Sequence, residues 1–187
     1  MKVTINGLTG TYDKKAIRKL LIAHLSKQEI ILPERNLVIP PLGEYWDGQG
    51  GVNHGLYLDA DGKTRWLLAA TEEIEGKWGK YGTLIEGEFS VIDGAHNTEL
   101  MVNADLSLAK EIRAYSADGH TDFFLGSSGQ HHLARANQDK HWKKKWYWTS
   151  TQSSSYSAWY QTFDDGYSSI NDKDNTGLAR PFRSVIL

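Results

Sequence analysis

The chain contains no cysteine, and this removes disulfides, thiolate metal sites and cysteine nucleophiles together. Proline is scarce, at four residues, and no segment approaches the roughly 18 consecutive apolar residues of a membrane span. Neither sign of charge dominates: 21 Lys and Arg against 23 Asp and Glu leave a net charge of −2. Such a balance gives no global attraction to nucleic acid or to an anionic membrane. The first residues, MKVTINGLTG, lack the apolar run of a secretory signal. Synthesis in the cytoplasm is therefore expected, with release as part of a particle as one route out of the cell.

What is abundant is aromatic surface and glycine: seven Trp, nine Tyr and five Phe accompany 18 Gly. Bulky anchors joined by tight turns favour short strands over long helices. At 187 residues, 40% of them hydrophobic and 24% charged, the chain suits one globular domain with an appendage.

Residues 2–5, KVTI, alternate and end at Asn6-Gly7, a strand and a turn. Asp13 can cap a helix running to Gln28, with Ile17, Leu20, Leu21 and Leu25 on one face. A second apolar segment, Ile30 to Ile39, is broken by Pro33 and closed by Pro40-Pro41. Residues 1–41 read as an appendage for docking or oligomerisation, and residues 42–187 as the main binding domain.

In that domain Gly55 to Leu58 and Arg65 to Ala70 form a hairpin around Asp59-Ala-Asp-Gly62. The Trp78-Gly-Lys-Tyr-Gly82 segment is a loop. Asn97 to Tyr115 has helical periodicity, with room for a break at Asn103 to Asp105. Asp118 to Leu125 is a turn into a short strand. A helix from Ser128 to Gln138 follows, with Leu133 and Ala136 inward. His141-Trp-Lys-Lys-Lys145 is a basic connector. Trp146 to Ser150, Ala158 to Phe163 and Arg180 to Ile186 are strands separated by polar loops. The pattern is α+β with an antiparallel core.

The C-terminal stretch from Trp146 to Val185 interleaves large anchors with residues no core would select. Tyr, Ser, Asn and Asp on a rigid platform supply contact area and adaptable hydrogen bonds. Trp66, Trp78, Trp148 and Trp159 are assigned to the core, with Trp146, Ala158, Phe163, Arg180 and Phe182 as further scaffold. Arg180 and Arg183 are expected to pair with carboxylates.

Several motifs occur in one order: GLYLDADGK, WGKYGT, Asn97-Thr98, DGHTDFFL, YWTSTQ, AWYQTFDDG and ARPFRSV. Residues 54–185 thereby resemble the bacterial and phage domain family that includes the collagen-like adhesin C-terminal domain and the variable proteins of diversity-generating retroelements. The resemblance implies a C-type-lectin-like fold of short antiparallel strands, two helices and long loops, preceded by a strand-helix appendage. It also implies a phage or prophage origin, with a virion or the host cytoplasm as destination, and diversification of the polar positions. The sequence departs from the family at Gly126, where Pro is usual, and at Gln130-His131-His132, where acidic residues are usual. The calcium-and-sugar tripeptides of true C-type lectins are absent, as are the active-site cysteines of the formylglycine-generating enzyme.

The expected contact residues are Ser153, Ser155, Tyr156, Tyr160, Gln161, Asp164, Asp165, Tyr167, Ser169, Asn171, Asp172, Asp174 and Asn175. The expected partner is a protein or glycan receptor, on a host surface or inside the host as the target of an inhibitor. No catalytic residue, metal or cofactor is assigned. Ser150 and Ser154 have no nucleophile motif around them. Asp164, Asp165, Asp172, Asp174 and Asn175 could offer oxygen to Ca²⁺, but solvation is the plainer reading of all of them. His131 and His132 project about 100° apart on a helix, which disfavours a shared Zn²⁺ with His120 and His141. Lys140 to Lys145 could engage a nucleic-acid backbone or an anionic glycan, with a solvated loop as the default.

Overall fold

The computed structural model describes residues 2–5, 8–11, 30–32, 37–137 and 140–186. The expected helix from Asp13 to Gln28 and the Asn6-Gly7 turn lie outside them. Two short antiparallel hairpins come first: β1 (Lys2–Ile5) with β2 (Leu8–Thr11), and β3 (Ile30–Leu32) with β4 (Leu37–Ile39).

The body is α+β. One five-stranded sheet runs β5-β6-β7-β14-β9, from β5 (Tyr45–Trp46), β6 (Gly51–Leu58), β7 (Thr64–Ala69), β9 (Phe124–Leu125) and β14 (Pro181–Val185). The other runs β12-β11-β10-β13-β8, from β8 (Ile74–Lys77), β10 (Trp146–Gln152), β11 (Ser157–Thr162), β12 (Ser168–Asp172) and β13 (Thr176–Ala179). The helices among the described residues are α1 (Gly94–Asn103), α2 (Ser107–Ala114) and α3 (Ser128–Ala136). None is long and apolar enough to cross a membrane.

The predicted hairpin is present and longer at its start. The helical stretch after Asn97 breaks at Ala104 to Leu106, where Asp105 adopts φ 66°. It begins earlier than its apolar spacing shows, because Asp93 accepts from the His96 N–H at 2.9 Å and caps it. Helix α3 carries a capping box of Ser127 and Gln130. Its inward residues are Gln130, His131 and Ala134, while Leu133 is half-buried and Ala136 exposed, which corrects the predicted face.

Strands β8, β12 and β13 are among those not expected from the sequence. Ile74–Lys77, Ser168–Asp172 and Thr176–Ala179 contain Glu, Gly, Ser, Asn and Asp, residues of low strand preference. Cross-strand pairing overrides that preference: Ser168–Asp172 matches Ser157–Gln161 residue for residue, and Thr176–Ala179 pairs with Ile74–Lys77.

Apolar clusters fill the layers. Trp78, Met101, Leu108, Ile112 and Trp148 lie between β10/β13/β8 and helices α1 and α2. Trp142, Tyr147, Phe163 and Phe182 form a second cluster with Leu67 and Phe124. Trp142 and Phe163 stack at 3.7 Å between ring centroids. Each such aromatic removes about 150–250 Å² from water. Trp142 is thus interior, and the basic connector is anchored rather than free. Its Lys143 pairs with Glu73, and Lys144 meets Asp164 at 3.1 Å.

Arg180, fully buried, lies 4.2 Å above the Trp142 ring and donates to Ala70 O, Glu73 Oε1 and His141 O. Arg183 bonds Asp122 at 2.5 Å. Both arginines pair with carboxylates as expected, and both join separate segments.

Candidate functional site

The register of the C-terminal sheet assigns each residue to a face, since directly paired residues point the same way. Trp148 pairs with Tyr160, Tyr160 with Ser169, and Ala158 with Asn171. With Trp146 they form one face. At its β8 and β13 side this face is covered by α2, where Leu108 sits over Gly76. At the β11 and β12 side Trp146, Tyr160, Ser169 and Asn171 remain partly open.

Trp146 and Tyr160 stack at 4.0 Å with a 20° interplanar angle, and Tyr160 also leans on Trp148 at 5.4 Å. Tyr167, 63% exposed, meets the Trp146 ring edge-on at 6.1 Å. An aromatic ladder therefore runs from the core to the surface at Tyr167, and Ser169 and Asn171 share its sheet face. Burial raises the Tyr160 phenol above its ordinary pKa, so it stays a neutral donor at pH 7.

The opposite face carries Tyr147, Gln161 and Ser168, and beside them Trp159 and Ile170. Helix α3 packs there: His132 Nε2 lies 3.1 Å from Ser168 Oγ, and Arg135 donates to Asp164 O at 3.0 Å. Gln161 is 1% exposed beneath this layer, so its amide is unavailable for contact. That corrects its place in the expected surface. Trp159, assigned to the core from sequence, is 38% exposed beside Ile170.

The remaining expected residues divide between the two ends of the sheet. Ser153, Ser155, Tyr156, Asp174 and Asn175 occupy turns at one end, with Asp172 at the adjoining strand terminus. Asn175 donates to Asn171 Oδ1 at 2.9 Å, which ties that end to the open face. Asp164 and Asp165 lie in the other turn, where Asp165 Oδ1 accepts from the Tyr167 N–H at 3.0 Å. The length of β12, about 16 Å for five residues, separates Asp164 and Asp165 from Asp174 and Asn175. One Ca²⁺ cannot gather oxygens from both ends.

Other sequence-flagged groups prove structural. His131 is fully buried against Phe182 at 4.9 Å, while His132 is exposed. Burial lowers the His131 pKa to about 4, with His132 and His54 adding a smaller depression. His120 Nε2 lies 3.0 Å from Gly48 O. Ser150 is buried against Asn97 Nδ2 at 3.1 Å.

Residues missed in the sequence enter from the 78–85 loop. Tyr81 and Leu84 are exposed, and the Tyr81 ring stands 5.0 Å from that of Tyr156. The loop is held by Lys173, which lies in the middle of the polar run yet is 0% exposed. Its ammonium donates to Thr83 O at 2.8 Å and Gln152 Oε1 at 2.6 Å, 4.7 Å from the Trp78 ring. Burial lowers its pKa to about 8.

No protein-family model matches the chain, and no curated protein matches it. Among solved structures it is similar to a fimbrial protein from Bacteroides ovatus ATCC 8483, at 14% identity and a TM-score of 0.45 over 63% of this chain. The chain spans 35% of the length of that protein.

Proposed function

We propose that the chain is a non-catalytic binding protein with a C-type-lectin-like domain, whose open sheet face engages a protein or glycan receptor. The observation that carries this reading is the Trp146–Tyr160–Tyr167 ladder, which reaches the surface at Tyr167 on the sheet face that also carries Ser169 and Asn171. Aromatic rings fixed by packing offer contact area that is already ordered, so little entropy is lost on binding. The C-type-lectin-like assignment and a phage or prophage origin rest on the sequence resemblance.

The test is retention of partners from bacterial envelope extract and, separately, from soluble lysate on immobilised wild type and Tyr167→Ala. A partner held by the wild type and lost by the variant supports the face. Equal retention by both overturns it. Retention from lysate alone would identify an intracellular target.

A further inference from the structure

We infer that Tyr81 and Tyr156 form a stacking subsite for a neutral sugar ring, at the end of the sheet and apart from the Trp146–Tyr160 ladder. The inference rests on the binding reading above and extends it to a ligand class. The two phenols are 5.0 Å apart and tilted by 52°. They are 49% and 53% exposed, so neither ring uses its faces up on its neighbour. Gly82, next to Tyr81, turns the loop at φ 79°, a backbone conformation that L side chains rarely adopt.

The support beneath the pair distinguishes it from an incidental surface contact. Lys173 is buried with hydrogen bonds to the uncharged oxygens of Thr83 and Gln152. Gln152 in turn accepts from the Ile85 N–H and donates to Ile85 O, at 2.9 and 3.0 Å. The Lys173 carbonyl takes the Gly79 N–H at 2.9 Å. Desolvating an ammonium opposes folding, and here that opposing contribution accompanies the fixing of a loop whose tip is exposed aromatic surface. Ordered support under exposed rings is how a binding subsite is preorganised.

The rim selects the ligand class. Ser153, Ser155 and Thr83 offer hydroxyls, and the exposed charges Lys80, next to Tyr81, and Asp174, next to Lys173, are opposite in sign. The Lys173 ammonium itself faces inward onto Trp78. A sugar ring presents polarised C–H groups to the negative face of a phenol and hydroxyls to the rim, and it requires no net charge.

The test is titration of wild type, Tyr81→Ala, Tyr156→Ala and Tyr81→Phe with neutral hexose and N-acetylhexosamine oligosaccharides and, separately, with sulfated ones, followed by amide NMR shifts. Melting temperatures of all variants establish folding. Expected is binding of a neutral oligosaccharide that weakens on the order of tenfold in either alanine variant and persists in Tyr81→Phe, because stacking needs the ring rather than the hydroxyl. Absence of binding across the neutral panel, binding of sulfated sugars alone, or neutral binding undiminished in both alanine variants overturns the inference. Tyr167→Ala reads the sheet face independently, so loss of one site leaves the other measurable.

Discussion

The Lys173 ammonium stands 2.6 Å from Gln152 Oε1 and 4.7 Å from the centre of the Trp78 ring. A cation thus sits inside a segment whose composition reads as solvated. Its folded pKa, lowered by burial from 10.5 to about 8, means that the unfolded chain binds more protons between those values. Stability contributed through this group therefore rises as pH goes from about 8 toward 10.5. Denaturant midpoints at pH 8 and pH 10 are expected to show this rise in wild type and to lose it in Lys173→Met.

His131 behaves with the same sign at lower pH. Its folded pKa is depressed from 6.5 to about 4, so its contribution is complete above 6.5 and is lost as pH falls toward 4. The lost stability is about 3 kcal/mol. In His131→Gln, urea midpoints between pH 6.5 and 4 should fall less steeply than in wild type.

Replacing Arg180 removes donors to Ala70 O, Glu73 and His141 O at once. Arg180→Met should cost about 3–5 kcal/mol, because Glu73, itself little exposed, loses a partner. Arg180→Lys should recover only part, since an ammonium lacks the planar fork. Chemical denaturation of both variants measures this.

Tyr167 and Tyr160 differ as probes of the surface. Tyr167→Ala removes an exposed ring and should change stability by no more than about 0.5 kcal/mol. Tyr160→Ala strips a ring stacked on Trp146 and tilted against Trp148 and should cost about 1–3 kcal/mol. Melting curves of the two separate support from contact, and partner retention is informative in the first.

Gly177 admits the Trp148 indole: a Cβ would lie 2.6 Å from Trp148 Nε1. Gly177→Ala should destabilise by about 1–3 kcal/mol through overpacking, with a change in tryptophan fluorescence on folding.

Much of the fold was legible where the signal is local. The Asp59 to Gly62 turn marked its hairpin, and the helix break near Asp105 followed from polar residues interrupting the period. The acceptors expected for Arg180 and Arg183 are present as Glu73 and Asp122. Strand β12 was not legible, because Ser168, Ser169, Asn171 and Asp172 suit a loop equally well and only the ladder from β11 decides between them. The candidate surface was legible as a composition and illegible as a geometry. Tyr81 joins it from far along the chain, and no spacing links Tyr81 to Tyr156.

The sequence by itself determined which residues alternate, where turns fall and that Tyr, Ser and Asn crowd the C-terminal stretch. Tertiary structure alone decided which side of each alternation is inside. Period-two patterning separates two faces without naming the buried one, and that choice follows from what covers each face. Helix α3 over β10 and β11 buries Gln161, the 78–85 loop closes over Lys173, and the absence of cover among the described residues leaves Trp159 and the outer end of the Trp146–Tyr160 ladder facing water.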